Sequence, residues 1–147
     1  MRKMTPADER LYLTLAKEFY HTPGAPHPVP EQYFRNTFAE ILLSDVYLEG
    51  FILDYKGEAA GYALITKYFS QERGGLAYLI DELYVRPAYQ GKGIGQQFFQ
   101  EYEESVRGKT NRLRLEVMPE NTRAEALYRR MGYQDLCYKQ LVKDFDD

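Results

Sequence analysis

The sequence predicts a single α/β domain of the α+β kind, spanning residues 1–147, with a mixed, mostly antiparallel central sheet flanked by helices. Three observations lead there. Apolar residues recur first with two helical periods, then three strand-like stretches, then a helix–strand–helix–strand alternation. Short polar, glycine-bearing turns separate the first strands, as hairpins require. And the run QGKGIG places Gly91, Gly93 and Gly95 where a strand gives way to a helix.

Thr5 and Pro6, followed by Asp8 and Glu9, read as a helix start: a cap, proline at the first position, and acids on the positive end. That helix carries Leu11, Leu15 and Phe19 and stops before HTPGAPHPVP. With four prolines, residues 21–30 form an irregular loop. Pro30 opens a second helix with Phe34, Phe38, Ile41 and Leu42 on one stripe. Strands over 46–55 and 59–68 flank the turn KGE, and SQERGG leads into a third strand over 76–85. After the glycines the helical period returns in Ile94, Phe98, Phe99, Tyr102 and Val106. Leu113, Leu115 and Val117 then alternate with charged residues as a strand. Asn121 can cap a last helix bearing Ala124, Leu127, Tyr128 and Met131, which Gly132 is placed to end. Residues 133–142 read as terminal β structure.

Composition narrows the function. The formal net charge of −3 argues against a dedicated nucleic-acid binder, which needs clustered Lys and Arg. No apolar run reaches the ~20 residues of a membrane helix, and the basic N-terminus lacks the apolar core of a signal peptide. The one cysteine, Cys137, excludes an internal disulfide and fits a reducing, cytoplasmic setting, with ordinary packing in the final strands as its role. Fourteen Tyr and eight Phe, without a Trp, make the chain notably aromatic.

A glycine-rich turn entering a helix offers unpaired N–H groups and a positive dipole end to an anion, and glycine lets a phosphate approach the main chain. Lys92 adds a charge within the turn. The dinucleotide pattern G-x-G-x-x-G fails because Gln96 holds its third position, and the P-loop pattern fails too. Three glycines in five residues exceed what a plain turn requires.

The pattern Gln90-x-x-Gly93-x-Gly95 resembles the [Q/R]-x-x-G-x-[G/A] signature of the GNAT superfamily of acyl-CoA-dependent N-acyltransferases. ELYVRPAY resembles that family's central strand, and NTRAEALYRRMGY is similar to its Asn-opened helix with a Leu-Tyr pair. The element order matches along nearly the whole chain, leaving only the first four residues to supply an opening strand. The resemblance implies a coenzyme A pyrophosphate lined by Gln90, Gly91, Lys92, Gly93, Ile94, Gly95 and Gln96. It also implies a pantetheine arm paired with the backbone of Leu83, Tyr84 and Val85, with Asn121 on its other side. Acetyl-CoA is then the co-substrate, with no metal, and a small-molecule amine is the acceptor. A protein N-terminus or lysine, or a non-catalytic acyl-CoA-binding module, are the alternatives. The family often forms pairs, so a homodimer is possible on this reading.

Acyl transfer needs a neutral amine. A lysine-like amine of pKa ~10.4 is about one part in 2,500 neutral at pH 7, a cost of ~4.6 kcal/mol that a general base can offset in part. Glu82 is the first candidate. In strict alternation it shares a face with Tyr78, Ile80 and Tyr84, where aromatic surroundings would raise its pKa. The competing reading has Glu82 capping the strand end or pairing with an arginine, and a β-bulge would promote Asp81 instead. Tyr128, following Leu127, matches the tyrosine that the family places near the cofactor sulfur, and as general acid it would protonate the thiolate. His21 and His27 flank the proline-rich loop without a third ligand at metal-binding spacing. Tyr20, His27, Tyr33 and Phe34 are expected to shape the acceptor wall. Arg112, Arg114, Arg129 and Arg130 either reach a coenzyme phosphate or are solvated.

Overall fold

A computed structural model describes residues 1–145. Its strands are β1 (Arg2–Lys3), β2 (Leu48–Tyr55), β3 (Glu58–Ser70), β4 (Gly75–Val85) and β5 (Arg112–Leu115). Its helices are α1 (Glu9–Tyr20), α2 (Glu31–Leu43), α3 (Ile94–Val106) and α4 (Thr122–Arg130). The sheet runs in the order β1-β2-β3-β4-β5. All pairs are antiparallel except β4 with β5, which is parallel and therefore needs the α3 crossover. The mixed, mostly antiparallel sheet matches the expectation, and the first residues do supply the opening strand.

Local chemistry accounts for most boundaries. Thr5 and Asp8 form a capping box around a 3₁₀ turn, Pro6–Asp8, that precedes α1; the Asp8 carboxylate accepts from the Thr5 backbone N–H at 2.8 Å. Lys56 (φ 51°) and Gly57 (φ 83°) are both left-handed, the geometry of the two-residue turn that matches strand twist between β2 and β3. In α2 the stripe is Phe34, Phe38 and the partly buried Ile41; Leu42 falls off it and is exposed, because a 3.6-residue period carries position 42 past the buried face.

Two cores sandwich the sheet. On one face Phe51, Leu53, Ala63, Ile65, Tyr78 and Ile80 meet the α3 residues Ile94, Phe98, Phe99, Tyr102 and Val106, all five of them buried. On the other, Ile52, Tyr62, Leu64 and Tyr84 meet Tyr12, Leu15 and Ala16 of α1 and Phe34 and Phe38 of α2.

One irregularity shapes everything that follows. Leu64 pairs with Glu82 and its neighbour Ile65 pairs with Ile80, so Asp81 is an extra residue in β4. The bulge reverses the alternation. Tyr78 and Ile80 pack on the α3 face, whereas Tyr84 packs on the α1–α2 face, where the Glu82 carboxylate also finds its partners. The expectation that Glu82 shares a face with Tyr78 and Ile80 is thus corrected: it shares one with Tyr84 only.

The chain end also departs from expectation. From Tyr133 to residue 145 no strand forms, and Leu136, Cys137, Tyr138, Leu141 and Val142 are exposed. The doublets Leu136-Cys137 and Leu141-Val142 break the period of two, so no single face of this segment can be buried as a strand's would be. Cys137 accordingly takes no part in packing.

Candidate active site

β4 and β5 run together from Ala77↔Arg112 to Ile80↔Leu115 and then part. The bulge at Asp81 bends one strand as the other ends. Between them lies a cavity of about 90 Å³, walled by Asp81, Glu82 and Leu83 on one side and Leu115, Glu116, Val117 and Met118 on the other. Phe19, Gly24, Ile80, Asn121 and Tyr128 complete the lining. Beyond Ile80 no strand among the described residues lies beside the outer edge of β4. Arg86 donates its backbone N–H to Ala60 at 2.8 Å, so even-numbered residues here turn toward β3. Leu83 and Val85 therefore aim their N–H and C=O groups at the open edge, while Tyr84 aims its own at β3. An extended pantetheine arm would find pairing groups on two of the three expected residues.

The glycine turn leads away from this edge. Gly91 (φ 76°) and Gly93 (φ 77°) hold left-handed conformations that other residues adopt only with strain. Gly93 is the N-cap of α3, and Gln97 makes the first helical bond, donating to the Gly93 carbonyl at 2.9 Å. The N–H groups of Ile94, Gly95 and Gln96 thus lack helical partners and point out of the helix start. A β-carbon on Gly91 or Gly93 would meet nothing within 4 Å, and one on Gly95 would meet only Leu83 Cδ2 at 3.9 Å. That room, beside free amides and a helix N-terminus, suits a diphosphate. Lys92 lies over the Tyr55 ring at 5.5 Å, and Gln90 donates its side-chain amide to the Val85 carbonyl at 3.1 Å.

Asn121 caps α4 as expected, accepting from the Ala124 N–H at 3.3 Å. Its amide group is left over at the cavity wall. Tyr128 packs edge-on to Phe99 (5.3 Å) and Tyr133 (6.2 Å), and its hydroxyl makes no hydrogen bond among the described residues. Burial pushes the phenol above its ordinary range, so it keeps its proton at neutral pH.

Glu82 is the most elaborately held group in the cleft. Its Oε1 accepts from the Tyr20 hydroxyl at 2.6 Å and its Oε2 from the Tyr62 hydroxyl at 2.5 Å. Burial raises its pKa, the two phenols pull it down, and the neighbouring Asp81 charge raises it; the net is upward. Among the described residues it neither pairs with an arginine nor caps the strand. Arg86 instead binds Glu18, with both nitrogen-to-oxygen distances at 3.0 Å. Asp81 is raised as well, by desolvation first and then by Glu116 across the cleft.

Of the expected acceptor-wall residues, Tyr20 reaches Glu82 directly. Phe34 is buried beneath it, ring to ring at 5.3 Å, and acts as its support. Tyr33 and His27 are exposed on the surface outside the cavity lining. His21 bonds the Lys17 carbonyl, and among the described residues no His, Cys, Asp and Glu gather as a metal-binding group. Arg112 pairs with Glu72 and Arg129 with Glu125 and Asp135, while Arg114 donates to the Tyr68 hydroxyl. Sequence reasoning missed Tyr62, Glu116 and Gly24. Tyr62 lies 20 residues before Glu82 in the sequence, and only the β3–β4 register brings the two together.

With this geometry in place, comparison with known proteins is decisive at the level of family. The Acetyltransferase (GNAT) family model matches residues 10–133, and the chain belongs to that family. It is 39% identical over 77 residues to thialysine N-epsilon-acetyltransferase of Bos taurus, covering 52% of this chain and 45% of that one. It is 30% identical over 87 residues to spermine/spermidine N(1)-acetyltransferase of Bacillus subtilis, covering 56% and 57%. The chain spans about half the length of the curated relatives it matches. Among solved structures, an integron cassette protein from the mobile metagenome of Cole Harbour Salt Marsh superposes with a TM-score of 0.82 at 24% identity, over 99% of this chain and 90% of that one. That likeness concerns the fold.

Proposed function

We propose that the protein is an acetyl-CoA-dependent N-acetyltransferase that acetylates the primary amine of a small cationic molecule by direct attack in a ternary complex. One observation carries the reading. The cleft through the sheet has a hydroxyl-bearing acid, Tyr128, on the side of the glycine turn and a partly buried carboxylate, Glu82, on the side of the α1–α2 loop. Its lining includes Asp81, Glu82 and Glu116 and neither Lys nor Arg. Such walls favour an ammonium group over an anion, and the relatives named for thialysine and for spermine and spermidine support the choice.

Acetyl-CoA supplies the activated acetyl group. The turn from Gln90 to Gln96 holds its diphosphate, and the open edges of Leu83 and Val85 align its arm, with Asn121 opposite. Carboxylate walls would by themselves trap the acceptor as its unreactive ammonium. Glu82 resolves this by taking the proton itself, directly or through water, as its raised pKa permits. The freed nitrogen forms its bond to the acetyl carbon as the bond to sulfur breaks, the Tyr128 proton passes to the departing thiolate, and the second proton shed by the acylated nitrogen returns through water to the phenolate.

The test is free-thiol release from acetyl-CoA against a panel of polyamines, diamino acids, aminoglycosides, short peptides and uncharged amines. Calorimetric binding of acetyl-CoA is the control. Turnover with small cationic amines is expected. Release only with peptides would move the acceptor class to proteins, and binding without release from any acceptor would leave an acyl-CoA-binding module.

A further inference from the structure

The Glu82 carboxylate carries a pair of hydrogen bonds that base catalysis alone does not call for. Both of its oxygens are occupied by phenols, Tyr20 on Oε1 and Tyr62 on Oε2. We propose that these two tyrosines are positioning residues that keep Glu82 ionised and aimed in its partly buried site, and that Tyr20 is the adjustable member of the pair. The inference rests on Glu82 being the group that takes the acceptor's proton.

The two phenols differ in freedom. Tyr62 is fully buried in the middle of β3, with the rings of Tyr12, Phe19 and Tyr84 packed edge-on or nearly so at 5.7, 6.3 and 6.1 Å. It has nowhere to go. Tyr20 is the last residue of α1, half-buried, and joins directly to the proline-rich loop over residues 21–30. Its ring rests on Phe19 at 5.2 Å and Phe34 at 5.3 Å, and among the described residues its hydroxyl bonds Glu82 alone.

The charges around Glu82 explain why donors are needed. From α1 it is faced by Tyr12 and Tyr20, from β3 by Tyr62, and from β4 by Asp81. No cation is among them. Burial and Asp81 both favour the protonated carboxyl, which cannot accept a proton from the acceptor. Only the O–H donors oppose this. The phenols cannot fail in that task by ionising, because burial and the adjacent carboxylate push both well above the ordinary tyrosine range. Each carboxylate oxygen has a second lone pair, so an acceptor amine or its water can still bond there. An acceptor that draws Tyr20 aside strengthens the base at the moment it is needed.

The experiment is the pH dependence of kcat/KM with one amine throughout, so that the acceptor's own titration is common to all proteins. Tyr20→Phe is expected to move the acidic limb upward by about one pH unit, a tenfold loss on the low-pH side, with activity regained at alkaline pH. Acetyl-CoA affinity should not change. Tyr62→Phe should move the limb in the same direction, with its fold checked by thermal melting. In the Glu82→Gln background, Tyr20→Phe should shift nothing further. A Tyr20→Phe profile superimposed on the wild type, or lowered equally at every pH, would overturn the proposal while Glu82 stands as the base. If Glu82→Gln itself leaves the acidic limb in place, it is the base assignment that fails.

Discussion

Tyr128 lines the cleft and its hydroxyl has no partner among the described residues, so Tyr128→Phe removes one oxygen and little packing. General acid catalysis is worth about 10²–10⁴ in rate, and a loss near the lower end of that range is expected in kcat, with the acetyl-CoA dissociation constant unchanged. Equal turnover in that variant would return Tyr128 to the core it borders. At this scale the sequence was legible where chemistry is local. Asn121 as a cap and Tyr128 in an Asn-opened helix could be read from their neighbours. Glu82 was found for a reason that the structure corrects. Strict alternation put it beside Tyr78 and Ile80, and the Asp81 bulge, which no residue in LIDELYV announces, puts it among tyrosines from other elements. Long-range pairs of this kind are set by register, and register is a property of two strands together.

Among the elements, the glycine turn allows a clean separation of binding from folding. Gly93 has positive φ, so any substitution there adds backbone strain of roughly 1–2 kcal/mol whether or not a ligand is present. Gly95 lies in α3, has ordinary helical geometry, and has 3.9 Å of clearance to Leu83 Cδ2. Gly95→Ala should therefore leave the melting temperature unchanged or raise it slightly, since alanine favours helix. Gly95→Val should weaken acetyl-CoA binding at least tenfold by calorimetry while the protein stays folded; normal affinity would sink the assignment of the turn. α3 itself was fully legible, because five apolar residues at helical spacing and a glycine start leave no other reading. The end of the chain was not, since its apolar doublets suit neither period.

For the molecule as a whole, the sheet's order and its two-sided burial follow from strands that alternate and helices that carry one stripe. A less visible contribution comes from the N-terminus. Arg2 binds both oxygens of Asp8 at 2.8 and 2.9 Å, tying the two-residue β1 to the start of α1. Hydrogen bonds from Arg2, and then from Thr5, hold the Asp8 carboxyl down from 3.8 to about 2. At 1.36 kcal/mol per unit that is at most roughly 2 to 3 kcal/mol, fully present above pH ~4 and lost as the pH falls through ~2. Asp8→Asn should lower the melting temperature by about 5 °C at pH 7, a difference that shrinks as the pH falls from about 4 to about 2 and disappears below it.

The parting of β4 from β5 also has an isotopic consequence. Along Leu83, Tyr84 and Val85, successive amides face opposite ways, one toward β3 and the next toward the open edge. In deuterated water the free protein should therefore label in alternation, with Leu83 and Val85 exchanging quickly and Tyr84 slowly. Addition of acetyl-CoA should slow Leu83 and Val85 selectively and leave Tyr84 as it was. A strand two residues from a bulge would then report its ligand one amide at a time, and a uniform slowing of all three would mean that the sheet tightens without being paired along that edge.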